Sequence, residues 1–137
     1  MRAALERRVW RRAKSICEYC RMPQSFDSLP FHVDHIIALK HNGLTRAANL
    51  ALACYNCNLF KGPNIAGIDP DTGEITRLFH PRKDLWPAHF AWNGGVLEGL
   101  SPVARTTIVV LAINTAQRVA HRDALIADGV FPSKRLS

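Results

Sequence analysis

All four cysteines of this chain fall into two identical spacings, Cys17-x2-Cys20 and Cys54-x2-Cys57. Two thiolates in one short turn can bite a single ion, and two such turns complete a tetrahedral four-sulfur site for Zn2+. The chain must therefore fold so that both turns meet. The gap between the pairs is 54 − 20 − 1 = 33 residues, longer than a simple zinc ribbon, so something is inserted between the knuckles. Two other readings compete. A thioredoxin-like redox pair needs a βαβ context, which the pattern does not show, and incidental core cysteines would rarely all fall into matched pairs. A structural disulfide is not expected in a reducing compartment. The chain reads as cytoplasmic: no apolar run approaches the ~20 residues of a membrane span. The basic start, MRAALERRVWRRAK, is followed by no apolar stretch and is not a secretory signal.

The insert has its own pattern. FHVDHII, at 31–37, reads as a strand, with Phe, Val and Ile and an early polar/apolar alternation. A loop over 40–48 is centred on Asn42-Gly43, a strong turn dipeptide. Asn49 opens a second short strand, LALA, which runs into Cys54. After Cys57 a short helix carries Asn58 and Lys61 and is ended by Gly62-Pro63. Asp34 and His35 stand side by side. A hard cation such as Mg2+ prefers oxygen ligands, which Asp34 and the amide oxygen of Asn58 offer. His35 has an intrinsic pKa suited to taking a proton from water. His32 shares a strand face with Asp34 and reads equally as an extra ligand, a substrate contact or a structural residue.

These residues resemble the HNH, or ββα-metal, endonuclease family, in the variant embedded between two zinc knuckles. The resemblance runs through Cys17-x2-Cys20, His32-Val33-Asp34-His35-Ile36, Asn42-Gly43, Asn49-Leu50, Cys54-x2-Cys57-Asn58 and Lys61. It spans residues 17–62, roughly a third of the chain. It implies that His35 is the general base, that Asp34 and Asn58 hold a catalytic Mg2+ or Mn2+, and that Asn49 bonds loop backbone to orient His35. Lys61 resembles the family's recurrent basic residue and is expected on a phosphate. Where the family name expects a final His, this chain has Asn58, which favours a hard ion over Zn2+. Residues 66–137, above all LFHPRKDLWPAHFAW, resemble extensions of small free-standing bacterial members.

The flanks complete an α+β expectation: a ββα-metal core stapled by zinc, with an N-terminal helix, a β-hairpin and two C-terminal helices. The helix spans 3–16, with Leu5, Val9, Ala13 and Ile16 on one stripe and arginines over much of the rest. The stretch 21–30, with two prolines, is turn-like. Residues 65–68 and 74–79 form a hairpin joined by DPDTG. Residues 80–95 show no clear periodicity and are expected as a partly ordered arm packing back through Trp86, Phe90 and Trp92. Ser101-Pro102 caps a helix to about Ile113, and an Asn114/Gln117 capping box opens another to Asp128, stopped by Gly129. Residues 1–95 are read as the nuclease domain and 96–137 as a helical extension on it, with 93–101 a possible separator. His41, His80, His89 and His121 are taken as non-catalytic.

The charge adds a partner class. A net charge of +7 over 137 residues favours a polyanion, with nucleic acid first. Two functions from different classes follow: a metal-dependent endonuclease acting on DNA, double-stranded by preference, or a four-cysteine zinc module that binds nucleic acid without cutting it. A pure binder has no need of Asp34, His35 and Asn58 together.

Overall fold

The 33-residue insert folds as an antiparallel strand pair with a helix directly after it. Strand β1 (His32–His35) pairs with β2 (Leu50–Ala53) in a register running from His32 opposite Ala53 to His35 opposite Leu50. Helix α2 (Tyr55–Lys61) follows within two residues. This ββα unit is described, with the rest of residues 1–136, by a computed structural model. All four residues of β2 are buried, which is why LALA shows no alternation: both faces of the strand are covered. β1 is shorter than the 31–37 expected. Beyond it, the Ile36 N–H still reaches the Asn49 carbonyl at 2.8 Å. The side chain of Asn49 then takes both backbone groups of Ile37, at 2.8 and 2.9 Å, and the ladder ends.

Helix α1 (Ala3–Arg12) stops short of Ile16. Lys14 and Ser15 both adopt positive φ, at 57° and 58°. The chain has to reverse there so that Ile16 can bridge to Pro23 and enter the first knuckle. The expected stripe is inside, with Val9, Ala13 and Ile16 buried. Arg12 departs from the solvated arginine face. Its guanidinium donates to the carbonyls of Ala47 at 2.9 Å and Leu50 at 2.6 Å, clamping α1 over the entry to β2.

The expected hairpin forms as β3 (Ala66–Ile68) and β4 (Ile75–Arg77), shorter than 65–68 and 74–79. Its turn closes on the buried Asp69, which accepts from Thr72 and from Arg105 at both carboxylate oxygens. The arm over 80–95 is ordered, against expectation. It is a short helix α3 (Trp86–His89) followed by a hairpin of β5 (Phe90–Asn93) and β6 (Val96–Gly99). Periodicity was invisible because the period switches from helix to strand between Trp86 and Phe90. The aromatics pack as foreseen: Trp86 lies 5.0 Å from Phe90 and 5.9 Å from Trp92, ring centre to ring centre. The stretch 93–101 is therefore a turn and a paired strand, not a separator. Gly95 in the turn is needed for space, since a Cβ there would fall 2.5 Å from the Asp123 carboxylate.

Helix α4 (Pro102–Val110) is capped by Ser101, whose hydroxyl accepts from the Ala104 N–H at 3.1 Å. It ends before Ile113, where Ala112 turns to φ 50°. Helix α5 (Ala116–Ala127) is capped by Thr115 rather than Asn114. Asn114 is used elsewhere: its side chain brackets the backbone of Leu97 in β6, at 2.9 and 2.8 Å. Gly129, at φ 74°, follows the helix end as expected. The cysteines, β2, Tyr19, Leu97, Leu111 and Phe131 share one buried core. Among the described residues, no helix is long and apolar enough to cross a membrane.

Candidate active site

The two knuckles meet. The Sγ atoms of Cys17, Cys20, Cys54 and Cys57 all lie within 4.8 Å of one another, and all four residues are buried. The Cys20 and Cys54 sulfurs are 3.6 Å apart. Tetrahedral Zn2+ with bonds near 2.3 Å wants sulfurs roughly 3.8 Å apart, so the donor set and its size fit zinc. The knuckles also match in backbone. The Cys20 N–H points at Cys17 Sγ at 3.5 Å and the Cys57 N–H at Cys54 Sγ at 3.4 Å.

Electrostatics make the same case. Four crowded sulfurs cannot all ionise unaided. Hydrogen bonds from its three neighbours favour the thiolate of Cys20. The neighbouring sulfurs push the Cys54 thiol up, and burial pushes Cys57 up. A divalent ion removes that conflict. Beside the sulfurs lies Arg118 of α5. Its guanidinium is 3.0 Å from Cys57 Sγ and 3.8 Å from Cys54 Sγ. It also donates to the carbonyls of Leu111 at 2.7 Å and Ala112 at 3.0 Å. Burial alone would lower its pKa, but attraction to Cys57, Cys20 and Cys54 raises it overall. No carboxylate bonds to Arg118 among the described residues, so its counter-charge is sulfur.

The zinc site stands at the base of the ββα unit, and the Asp34-His35 pair lies at the far end of β1. Cys54 is the N-cap of α2, which places Asn58 inside the helix rather than at its cap. Two residues of α2 touch β1. Tyr55 sits 6.3 Å, ring to ring, from His32. The Lys61 ammonium lies 3.1 Å from Asp34 Oδ2 and 3.1 Å from the His35 carbonyl. Asn58 lies midway between them along the helix, spaced by three residues each way and so on the same side. Asp34 is buried, and its Oδ2 also accepts from the Tyr19 hydroxyl at 3.0 Å. Burial raises the Asp34 pKa overall, against the pull of Lys61 and Tyr19. Among the described residues nothing bonds to Asp34 Oδ1 or to the Asn58 side chain. A carboxylate oxygen and an amide are a donor set for a hard cation.

His35 ends β1. Its Nε2 is 2.9 Å from the hydroxyl of Thr45, in the loop opposite. That loop is held by Asn49, buried, through Ile37 and a further bond from Nδ2 to the Leu44 carbonyl at 2.9 Å. Gly43 is forced by space. A Cβ there would sit 1.7 Å from the Ile37 carbonyl oxygen and 2.9 Å from Asn49 Nδ2. The positive φ of this turn, 65°, belongs to Asn42.

A protein-family model described as HNH endonuclease matches residues 17–64. Residues 17–64 are an HNH domain, with a zinc-binding cluster of four cysteines. No curated protein and no solved structure matches the chain.

Within the HNH domain the expected residues divide. Asp34, Asn49, Asn58 and His35 lie in or against the ββα unit, and the four cysteines lie together. His32 is exposed on the strand face that Tyr55 covers in part. Lys61, expected on a phosphate, has its side chain only 1% exposed and turned inward onto Asp34. Its role in the structure is to tie the end of α2 to the end of β1. Of the other histidines, His89 is bonded to Ser101 at 2.6 Å, while His41 and His121 are exposed. Sequence reasoning did not single out Tyr19, Thr45 or Arg118. Tyr19 had a signal, being a large side chain inside a knuckle. Thr45 and Arg118 had none, since their partners lie ten and about sixty residues away.

Proposed function

We propose that this chain is a metal-dependent endonuclease that hydrolyses phosphodiester bonds of double-stranded DNA. The observation that carries the reading is the pairing, at the end of one strand, of a buried carboxylate beside α2 with a histidine whose Nε2 is already engaged.

Each residue then has a task. With Nε2 spent on Thr45, Nδ1 of His35 is the atom left to take a proton from water. A neutral ring with a free Nδ1 carries its proton on Nε2, so the Thr45 hydroxyl accepts. The same bond is kept when Nδ1 takes up the proton. Asn49 fixes the loop that carries Thr45, and Lys61 fixes the backbone of His35. Asp34 Oδ1 and the Asn58 amide would hold Mg2+ or Mn2+. Such an ion neutralises charge on the phosphoryl and leaving oxygens. The zinc cluster is structural, since its four sulfurs leave no open position.

The test is supercoiled plasmid incubated with zinc-loaded protein and Mg2+ or Mn2+, with His35→Ala alongside. Nicking or linearisation that needs the added ion and is abolished by the substitution supports the reading. Folded protein that shifts DNA in a gel and never cuts it, whatever ion is added, refutes it in favour of a binding module.

A further inference from the structure

The loop that holds His35 has a second face. Between it and the turn over 80–83 lies a groove of about 310 Å3, lined by Asn42, Gly43, Arg46, Asn49, His80 and Lys83 among others. Arg46 and Lys83 are both exposed. Among the described residues, neither side chain has a hydrogen-bond or ion-pair partner. His80 is turned so that its Nδ1 faces the backbone N–H groups of Arg82 and Lys83, at 3.2 and 3.3 Å. In the neutral ring that leaves Nε2–H as the donor. Burial, and then Lys83, hold the ring below its usual pKa and favour the neutral form.

No carboxylate lines this groove. Asp84, the nearest acid in sequence, is taken by Arg77 at 2.7 and 3.0 Å. Glu18 is taken by Arg82. The groove therefore presents a guanidinium and an ammonium with their charge unspent, beside a neutral imidazole N–H donor, which is the complement of a phosphodiester oxygen pair. Its position is as informative as its chemistry. Arg46 is the neighbour in sequence of Thr45, whose hydroxyl is 2.9 Å from His35 Nε2. Asn49 lines the groove and holds the same loop.

We infer that this groove seats a backbone phosphate of the nucleic acid next to the scissile one, held by Arg46 and Lys83 with His80 beside them. The inference rests on the nuclease reading for its partner, but not on cleavage. Arg46 and Lys83 act on substrate placement and leave the chemistry at His35 untouched.

The experiment uses the full zinc-loaded chain and a fluorescein-labelled duplex of random sequence. Binding is followed by anisotropy over a range of NaCl, without added Mg2+ and without chelator. Arg46→Ala/Lys83→Ala is compared with Arg2→Ala/Arg7→Ala, which removes the same charge from the cap and first turns of α1. The groove variant should keep its zinc content and circular dichroism. It should bind about tenfold more weakly near physiological salt, and its slope of log K against log salt should fall by about one phosphate. Arg46→Lys/Lys83→Arg should restore most of the affinity. On plasmid, KM should rise with kcat little changed. Unchanged affinity and slope in the groove variant overturn the inference, as does an equal loss in the α1 variant, which would reduce the effect to net charge. If wild type cuts plasmid while the groove variant binds normally, the groove alone is wrong. If wild type binds through the groove and never cuts, the nuclease reading is wrong and the groove stands.

Discussion

Replacing Arg118 by Met keeps most of the side chain's length and removes its charge and donors. The guanidinium serves three close partners: Leu111 O at 2.7 Å, Ala112 O at 3.0 Å and Cys57 Sγ at 3.0 Å. Each buried carbonyl left without its donor costs about 1–3 kcal/mol. Breaking a buried charge pair by deleting one partner costs about 3–5 kcal/mol. These costs overlap, because one group makes all the contacts, so the expected loss is about 3–5 kcal/mol in total. At roughly 3–5 °C per kcal/mol for a domain of this size, the melting temperature should fall by about 9–25 °C. The assay is urea unfolding of zinc-loaded protein followed by circular dichroism, with zinc release to a chromophoric chelator measured in parallel. Release should quicken in Arg118→Met, because the negatively charged sulfur cluster has lost its buried cation. Arg118→Lys should fall between, since one ammonium cannot reach both carbonyls and the sulfur. A loss below about 1 kcal/mol would refute the ledger. Destabilisation with zinc release unchanged would refute its electrostatic half, and would leave Arg118 as a cap on the end of α4.

Four other outcomes follow from the same geometry. His35→Ala should lower plasmid cleavage at least about 100-fold while duplex binding by anisotropy is kept. Thr45→Val, which removes only the hydroxyl, should lower kcat about tenfold with KM unchanged in steady-state cleavage assays; an unchanged kcat would show that His35 needs no such anchor. Gly43→Ala should cost cleavage without costing zinc, because the added methyl collides with the Ile37 carbonyl while the knuckles lie elsewhere; metal analysis and plasmid nicking together check this. Stripping zinc with a strong chelator should abolish the cooperative thermal transition, and re-addition of zinc should restore it.

The ββα core was legible because its signals are local. The cysteine spacing, the Asp34-His35 pair, the Asn42-Gly43 turn and Cys57-Asn58 each sit within a few residues, and the zinc geometry follows from residue type alone. The arm over 80–95 was not legible. Helix and strand periods succeed one another there within a few residues, and neither runs long enough to register. Asn114 was misassigned for a related reason. A capping pattern is local, yet its amide was claimed by Leu97, seventeen residues back.

Lys61 shows where the division falls. Its type and spacing from Asn58 were readable, and a lysine one turn along a helix is ordinarily a surface group. Only the packing of α2 against β1 decides that it points inward, because the buried Asp34 demands a partner there. Arg118 is the same case at longer range. A cation in a helix of mixed polar and apolar residues has no meaning in sequence until the fold sets it beside sulfur. What the chain determined by itself was therefore the inventory of the site: which residues can hold zinc, which can hold a hard cation and which can take a proton. What tertiary structure decided was which charges face each other, because the energy of a buried charge depends on neighbours that sequence distance does not record.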